Sequence, residues 1–297
     1  MRSLGVVYSV DMLADPGASM SPSSRKPAIL AGALLEKAWP IRIVEPEPMP
    51  TARIYRVHDR GFVDSILSLD RANGFGTLSE TVARSLAYTC GAFHTGAVLA
   101  LKEGLSASLT SGFHHASSAR ARGFCTFNGL MISAVRLLDE GGATKVAILD
   151  CDFHYGDGTA EILDTLGLAD RILHLSLGQR AYERGHSHLY LRALEEALDE
   201  IEGFDPGIVL YQAGVDSHVN DPLGGLLTTE EMRERDALVF RRVVRRGLPL
   251  TWNLAGGYQV EPDGTIPKVV NLHLNTFQEA LLAKGLIPAP SHAEQRA

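Results

Sequence analysis

The chain has 297 residues, 45% hydrophobic, 21% charged and 7% aromatic; that balance buries a core and excludes disorder as the main state. Its 28 Lys and Arg against 35 Asp and Glu give a net charge of -7, and with no basic block to track a phosphate backbone, nucleic acid is excluded as a direct ligand. No apolar run reaches the ~18 residues of a spanning helix, and the apolar stretch at 4–10 is too short for a signal peptide. Cys90, Cys125 and Cys151 lack the CxxC spacing of a thiolate knuckle and are odd in number, which excludes a disulfide framework. A cytoplasmic protein with a single domain over 1–297 is the expectation, and any metal would be held by His and carboxylates.

In chain order, short β-branched runs bounded by Gly, Asp or Asn alternate with amphipathic stretches of helical length. Residues 4–10 read as a buried strand. Two loose stretches follow, at 15–27 and in the proline cluster at 45–50, and helices are expected over 81–103 and 129–140. Strands at 146–149 and 172–177, a helix over 189–202, a strand at 208–212, a helix over 228–246, a strand at 248–254 and a helix over 270–284 complete the pattern. The alternation predicts an α/β fold, with a central mostly parallel β-sheet flanked by helices on both faces.

Chemistry-bearing residues gather just after the strands. The 146–149 strand runs into Asp150, Asp152, His154 and Asp157; the 208–212 strand into Asp216, His218 and Asp221; the 248–254 strand into Gly256, Gly257 and Tyr258. Loops at the carboxyl edge of an open sheet converge on a crevice. Asp152 and His154, two residues apart, can present an oxygen and an imidazole to one ion, and Asp216 supplies a third ligand while leaving room for water and substrate. A DxDxH run after a strand also reads as a cap and turn. His114 and His115 are suited to proton transfer near neutrality, and Asp150 and Asp157 remain to orient them. By itself, a His-His pair is more often a surface or metal-scavenging feature than a catalytic one. Gly256 allows close approach of backbone to a ligand, and Tyr258 beside it is either an oxyanion donor or a packed aromatic.

Together these residues resemble the zinc-dependent histone deacetylase family, including its bacterial relatives, and are closest in character to the short class IV-like branch. The resemblance rests on His114-His115-Ala, Gly123-Phe-Cys-Thr-Phe-Asn128, Leu149-Asp-Cys-Asp-Phe-His-Tyr-Gly-Asp-Gly158, Ala213-Gly-Val-Asp216, Asp221-Pro-Leu-Gly-Gly225 and Gly256-Gly-Tyr258, with a weaker likeness in Tyr8-Ser9 and Val57-His-Asp-Arg-Gly-Phe-Val63. It implies an arginase/deacetylase fold and Zn2+ on Asp152, His154 and Asp216. His114 and His115 become the acid/base pair, oriented by Asp150 and Asp157 respectively, and Tyr258 the stabiliser of the tetrahedral intermediate. Gly123 and Phe124 would line an acyl-chain tunnel, with Tyr182 and Gly256 as further substrate contacts. A K+ would sit on Asp150, Asp152, His154, Ser176 and Leu177, and Arg25 or Lys26 would serve an acetate-exit channel.

The implied activity is removal of an acetyl or other acyl group from a protein acyl-lysine by metal-activated water. Alternatives are a deacetylase of acetylpolyamines or other small acetylated amines, a silent acyl-lysine-binding protein, and a di-manganese ureohydrolase. The partner is thus an acylated lysine or amine; Fe2+ or Co2+ would suit the same ligands.

Overall fold

Residues 2–179 and 186–289 are described by a computed structural model of the chain. Seven strands, β1 (Leu4–Val7), β2 (Ile41–Val44), β3 (Leu105–Ser108), β4 (Val146–Asp150), β5 (Ile172–Ser176), β6 (Ile208–Gly214) and β7 (Leu250–Ala255), form one sheet in the order β2-β1-β3-β7-β6-β4-β5. Every pairing is parallel.

The helices are α1 (Lys26–Glu36), α2 (Thr51–Ile54), α3 (Arg60–Leu67), α4 (Glu80–Glu103), α5 (Gly129–Asp139), α6 (Asp157–Leu166), α7 (Ser187–Phe204), α8 (Thr229–Arg246) and α9 (Pro267–Ala283). They divide between the two sheet faces, and strand side chains alternate accordingly. Ala147, Leu149, Val209 and Tyr211 join the cluster under α1, α7, α8 and α9. Val146, Ile148, Ile208 and Leu210 join the cluster under α2 to α6. Burial on both faces explains why β4 and β6 are uninterrupted apolar runs.

Strand β2 and the helices α2, α3 and α6 were not among the expected elements, and three further differences have a clear local cause. The first strand stops at Val7, because Ser9 caps a short 3-10 turn at Val10–Met12. Strand β3 was not anticipated: its sequence, Leu-Ser-Ala-Ser, has two hydroxyls buried against α4. Ser106 Oγ donates to the Gly96 carbonyl at 2.6 Å and lies 2.9 Å from Thr251 Oγ1, so a polar seam replaces the usual apolar signal. Helix α1 starts inside the loose stretch, at Lys26, with Pro27 in its first turn, where a missing N–H costs nothing.

The order places β3, β7, β6 and β4 side by side. Their carboxyl ends carry the 109–128, 256–258, 215–225 and 151–156 loops, so the candidate residues from four distant stretches of chain meet at one edge.

Candidate active site

Where β4 and β6 end, Asp152 and Asp216 are 2% and 0% exposed, and His154 stands between them. His154 Nδ1 lies 3.2 Å from Asp152 Oδ1 and 3.0 Å from Asp216 Oδ2, and one ligand atom from each residue falls within 4.8 Å of the others. Two buried carboxylates around one imidazole nitrogen demand a positive charge. Burial and the neighbouring Asp152 push Asp216 up to about 7. Burial also works against the charge of Asp152, but His114 and His154 hold its carboxyl below the usual range. Hydrogen bonds to Asp152 and Asp216 raise His154 to about 10. Either a proton or a metal cation meets this demand, and one imidazole with two carboxylates is a donor set that suits a divalent transition metal.

Backbone geometry keeps the trio in place. Asp216 Oδ1 accepts from Phe153 N–H at 3.1 Å and Asp152 Oδ1 from His154 N–H at 3.0 Å. Gly256 has φ +56°, and a Cβ there would lie 2.4 Å from Asp216 Cγ; only glycine lets β7 turn this close to the carboxylate. Deeper, the buried Arg235 of α8 donates to the carbonyls of Gly214 (2.5 Å), two residues before Asp216, and Cys151 (3.4 Å), just before Asp152.

The histidine pair comes from the loop after β3, ring centroids 4.0 Å apart. His114 is buried, with Nδ1 2.9 Å from Asp150 Oδ2 and Nε2 3.6 Å from Asp152 Oδ1. His115 is less enclosed, with Nδ1 2.7 Å from Asp157 Oδ1. An ionised carboxylate only accepts, so each Nδ1 donates and each Nε2 is left facing the site. Burial opposes charge on His114, yet Asp152 and Asp150 outweigh it and raise the group to about 9. Burial and the positive His114 instead lower His115.

Two residues flanking this loop hold strained backbone: Phe113 at φ +94° and Phe124 at φ +62°. Phe124 packs against Tyr258 with the rings tilted 43° and centroids 5.7 Å apart, and Gly123 lies against His115, where a Cβ would come 2.5 Å from Cδ2. Tyr258 is anchored through its backbone N–H to Asp221 Oδ2 at 2.8 Å. Burial and the nearby Asp152 and Asp216 raise its pKa well above the ordinary value, so the phenol stays a donor. Asp150 and Ser176 are register partners at the ends of β4 and β5, with Leu177 the next residue after Ser176. Tyr182 lies outside the described residues.

Of the two basic residues anticipated near the exit, Arg25 is exposed and Lys26 is fully buried, its Nζ donating to the Gly256 carbonyl at 2.6 Å. Burial lowers Lys26 to about 8 against the pull of Asp216, Asp152 and Asp221. A cavity of about 60 Å³ is lined by Phe124, Ser23, Ser24, Pro27, Ser111 and Cys125 among others.

Sequence reasoning passed over the work of His58. Its Nε2 accepts from Asn128 N–H at 2.9 Å, so Nδ1 carries the proton and donates to the Ser117 carbonyl at 2.9 Å. Asn128 in turn caps α5 through Met131 N–H and donates to Ala116 O and Thr159 Oγ1. This network ties down the loop bearing His114 and His115. Its signal was the Val57-His-Asp run, which had no assigned role.

The histone deacetylase domain family matches residues 21–183 and 181–275. An uncharacterised protein from Picosynechococcus is 30% identical over 255 residues, covering 77% of this chain and 84% of that one. Acetylpolyamine amidohydrolase 1 of Pseudomonas aeruginosa is 31% identical over 51% of this chain and 50% of its own length. Histone deacetylase 2 of Arabidopsis thaliana is 30% identical over 54% and 46%, so the matches span about half of these two named relatives. An acetylpolyamine aminohydrolase from Burkholderia pseudomallei superimposes with a TM-score of 0.74 at 18% identity, over 95% of this chain and 99% of that one. The HD domain of HDA15 superimposes with a TM-score of 0.76, also at 18% identity, over 97% and 91%. These two solved structures share the arginase/deacetylase fold, and the domain match spans the four loops that meet at the sheet edge: the chain belongs to the histone deacetylase family.

Proposed function

We propose that this chain hydrolyses the amide of an acylated amine, with the acyl-lysine side chain of a protein as first substrate, using a Zn2+ held by Asp152, His154 and Asp216. The carrying observation is the convergence, at one sheet edge, of that ligand trio with two carboxylate-backed histidines and a protonated phenol. A dication bound there supplies Lewis-acid chemistry, polarising the carbonyl and acidifying a water.

The chain's own groups do the rest. His115, with its pKa lowered and Nε2 unprotonated, takes the proton from water and returns it to the leaving nitrogen, which departs as a neutral amine. His114, with Nδ1 on the buried Asp150 and its ring 4.0 Å from that of His115, faces the developing negative charge as the second member of the pair. The Tyr258 hydroxyl donates to the oxyanion, and Asp150 and Asp157 fix both imidazole tautomers. Phe124 and Gly123 form one wall of the channel for the acyl-bearing side chain. Asp150 and Asp152, with His154, Ser176 and Leu177 partly through their backbone oxygens, are the groups that would hold a K+.

A second reading, deacetylation of small acetylated amines such as acetylpolyamines, is favoured by the similarity to two polyamine amidohydrolases. Acetate release from an acetyl-lysine peptide, run beside acetylputrescine, separates the two. Turnover of the peptide supports the first reading; turnover of acetylputrescine alone replaces it with the second. Release from neither substrate overturns both.

A further inference from the structure

The two His–Asp pairs are built differently. Asp150 is fully buried, and its second oxygen accepts from Asp152 N–H at 3.1 Å, so His114 leans on a carboxylate fixed by the core. Asp157 begins α6 with a third of its side chain exposed, and its second oxygen meets Arg122 Nη1 at 2.9 Å. Among the described residues, His115 and Arg122 are the only partners of this carboxylate's oxygens.

A tight hairpin sets the position of Arg122. Arg122 and Cys125 exchange both backbone hydrogen bonds, at 3.0 and 2.9 Å, around Gly123 and Phe124 at φ +56° and +62°. Positive φ at both central positions is the two-residue turn whose twist suits a hairpin. The same turn puts the Gly123 backbone on the His115 ring and directs Arg122 at the far side of Asp157. One carboxylate is thereby clamped from both sides, its oxygens divided between an imidazole and a guanidinium.

We propose that Arg122 is a positioning residue that acts through Asp157 to hold the His115 ring in its working orientation. The proposal rests on the hydrolytic reading above. Without Arg122 the half-exposed Asp157 is free to swing toward water, and His115 loses the group that fixes its tautomer. Because half of the Arg122 side chain is in solvent, the clamp is screened by salt, unlike the buried Asp150 pair.

The test compares wild type with Arg122→Ala and Arg122→Lys. In Arg122→Ala, kcat falls about fivefold to tenfold, KM stays within about twofold and the thermal midpoint is kept. Arg122→Lys regains part of the loss, because an ammonium still reaches one carboxylate oxygen. Raising salt from about 0.02 M to about 0.5 M slows the wild type several-fold and leaves Arg122→Ala nearly unchanged. The downfield proton resonance of His115 Nδ1–H, which requires no turnover, is sharp in wild type and broadened or lost in Arg122→Ala. An unchanged resonance with unchanged kcat, or a loss confined to KM, overturns the proposal. A wild type that turns over no substrate while this resonance still responds to Arg122→Ala sinks the hydrolytic reading and leaves the clamp standing.

Discussion

Tyr258 and His58 show how single residues bear on chemistry and on the frame that holds it. The phenol of Tyr258 sits in a field of buried carboxylates that keeps it protonated, so its proposed contribution is a hydrogen bond to an oxyanion. Removing one such donor costs ~3 to 4 kcal/mol. Tyr258→Phe is therefore expected to lose on the order of a hundredfold or more in kcat while binding metal normally; wild-type-like turnover would reject the role. His58 acts on stability instead. Burial lowers it to about 4, against an ordinary 6.5, and protonating Nε2 breaks its bond to Asn128. The folded state then binds fewer protons than the unfolded chain between pH 4 and 6.5, so stability rises with pH through that window and is lost on acidification. The loss from this group is roughly 3 kcal/mol. His94, lowered to about 4 by burial and by Arg136, adds a similar amount. Urea midpoints at pH 7 and pH 4.5 check this: His58→Gln should reduce the acid-induced loss by about 2 to 3 kcal/mol, and an unchanged loss would contradict the assignment.

Among elements, α8 is coupled most directly to the site. Arg235 and Asp236 are both essentially buried, and Asp236 also accepts from Tyr211 Oη at 2.5 Å and Thr276 Oγ1 at 2.6 Å. Arg235 joins the ends of β4 and β6 through their carbonyls, so it couples the packing of α8 to the spacing of Asp152 and Asp216. Arg235→Met leaves Asp236 charged and unpaired in the core and should cost about 3–5 kcal/mol. Adding Asp236→Asn, whose Oδ1 still accepts from Tyr211 while its Nδ2 donates to Thr276 Oγ1, should restore at least half of that in urea unfolding. A single-variant cost under about 1 kcal/mol would refute the coupling. The same element-scale view explains what was legible in the sequence. Strands β4 and β6 were readable because both faces are apolar, and helices α4, α5, α7, α8 and α9 because each is an amphipathic or mixed stretch of helical length between strand-like runs. Strand β3 was not, since its buried hydroxyls are paired inside the fold, Ser106 with Gly96 of α4 and Ser108 with Thr110, and α1 was hidden by the Ser- and Pro-rich approach to Lys26.

Over the whole molecule, the candidate site was more legible than the fold. Asp152, His154 and Asp216 were found from their places after strands, because a parallel sheet brings its carboxyl edges together whatever the sequence separation. What could not be read was how adjacency on the sheet is used. The sequence anticipates that the His114 loop, the Gly256 turn and the two acidic loops share one crevice; the order β3-β7-β6-β4 shows which strands stand side by side to bring them there. The sequence does not distinguish the buried Asp150 pair from the half-exposed Asp157 pair, or say that Lys26 rather than Arg25 turns inward. Those facts depend on burial and on backbone turns such as the one at Gly123 and Phe124. The most direct measurement of the account is acetate release from an acetyl-lysine peptide by metal-stripped protein as Zn2+ is added back. Release should be absent without metal, climb to a plateau at one ion per chain, and fail to return in Asp216→Asn. Full turnover without metal, a requirement for a second ion, or normal recovery in Asp216→Asn would contradict it.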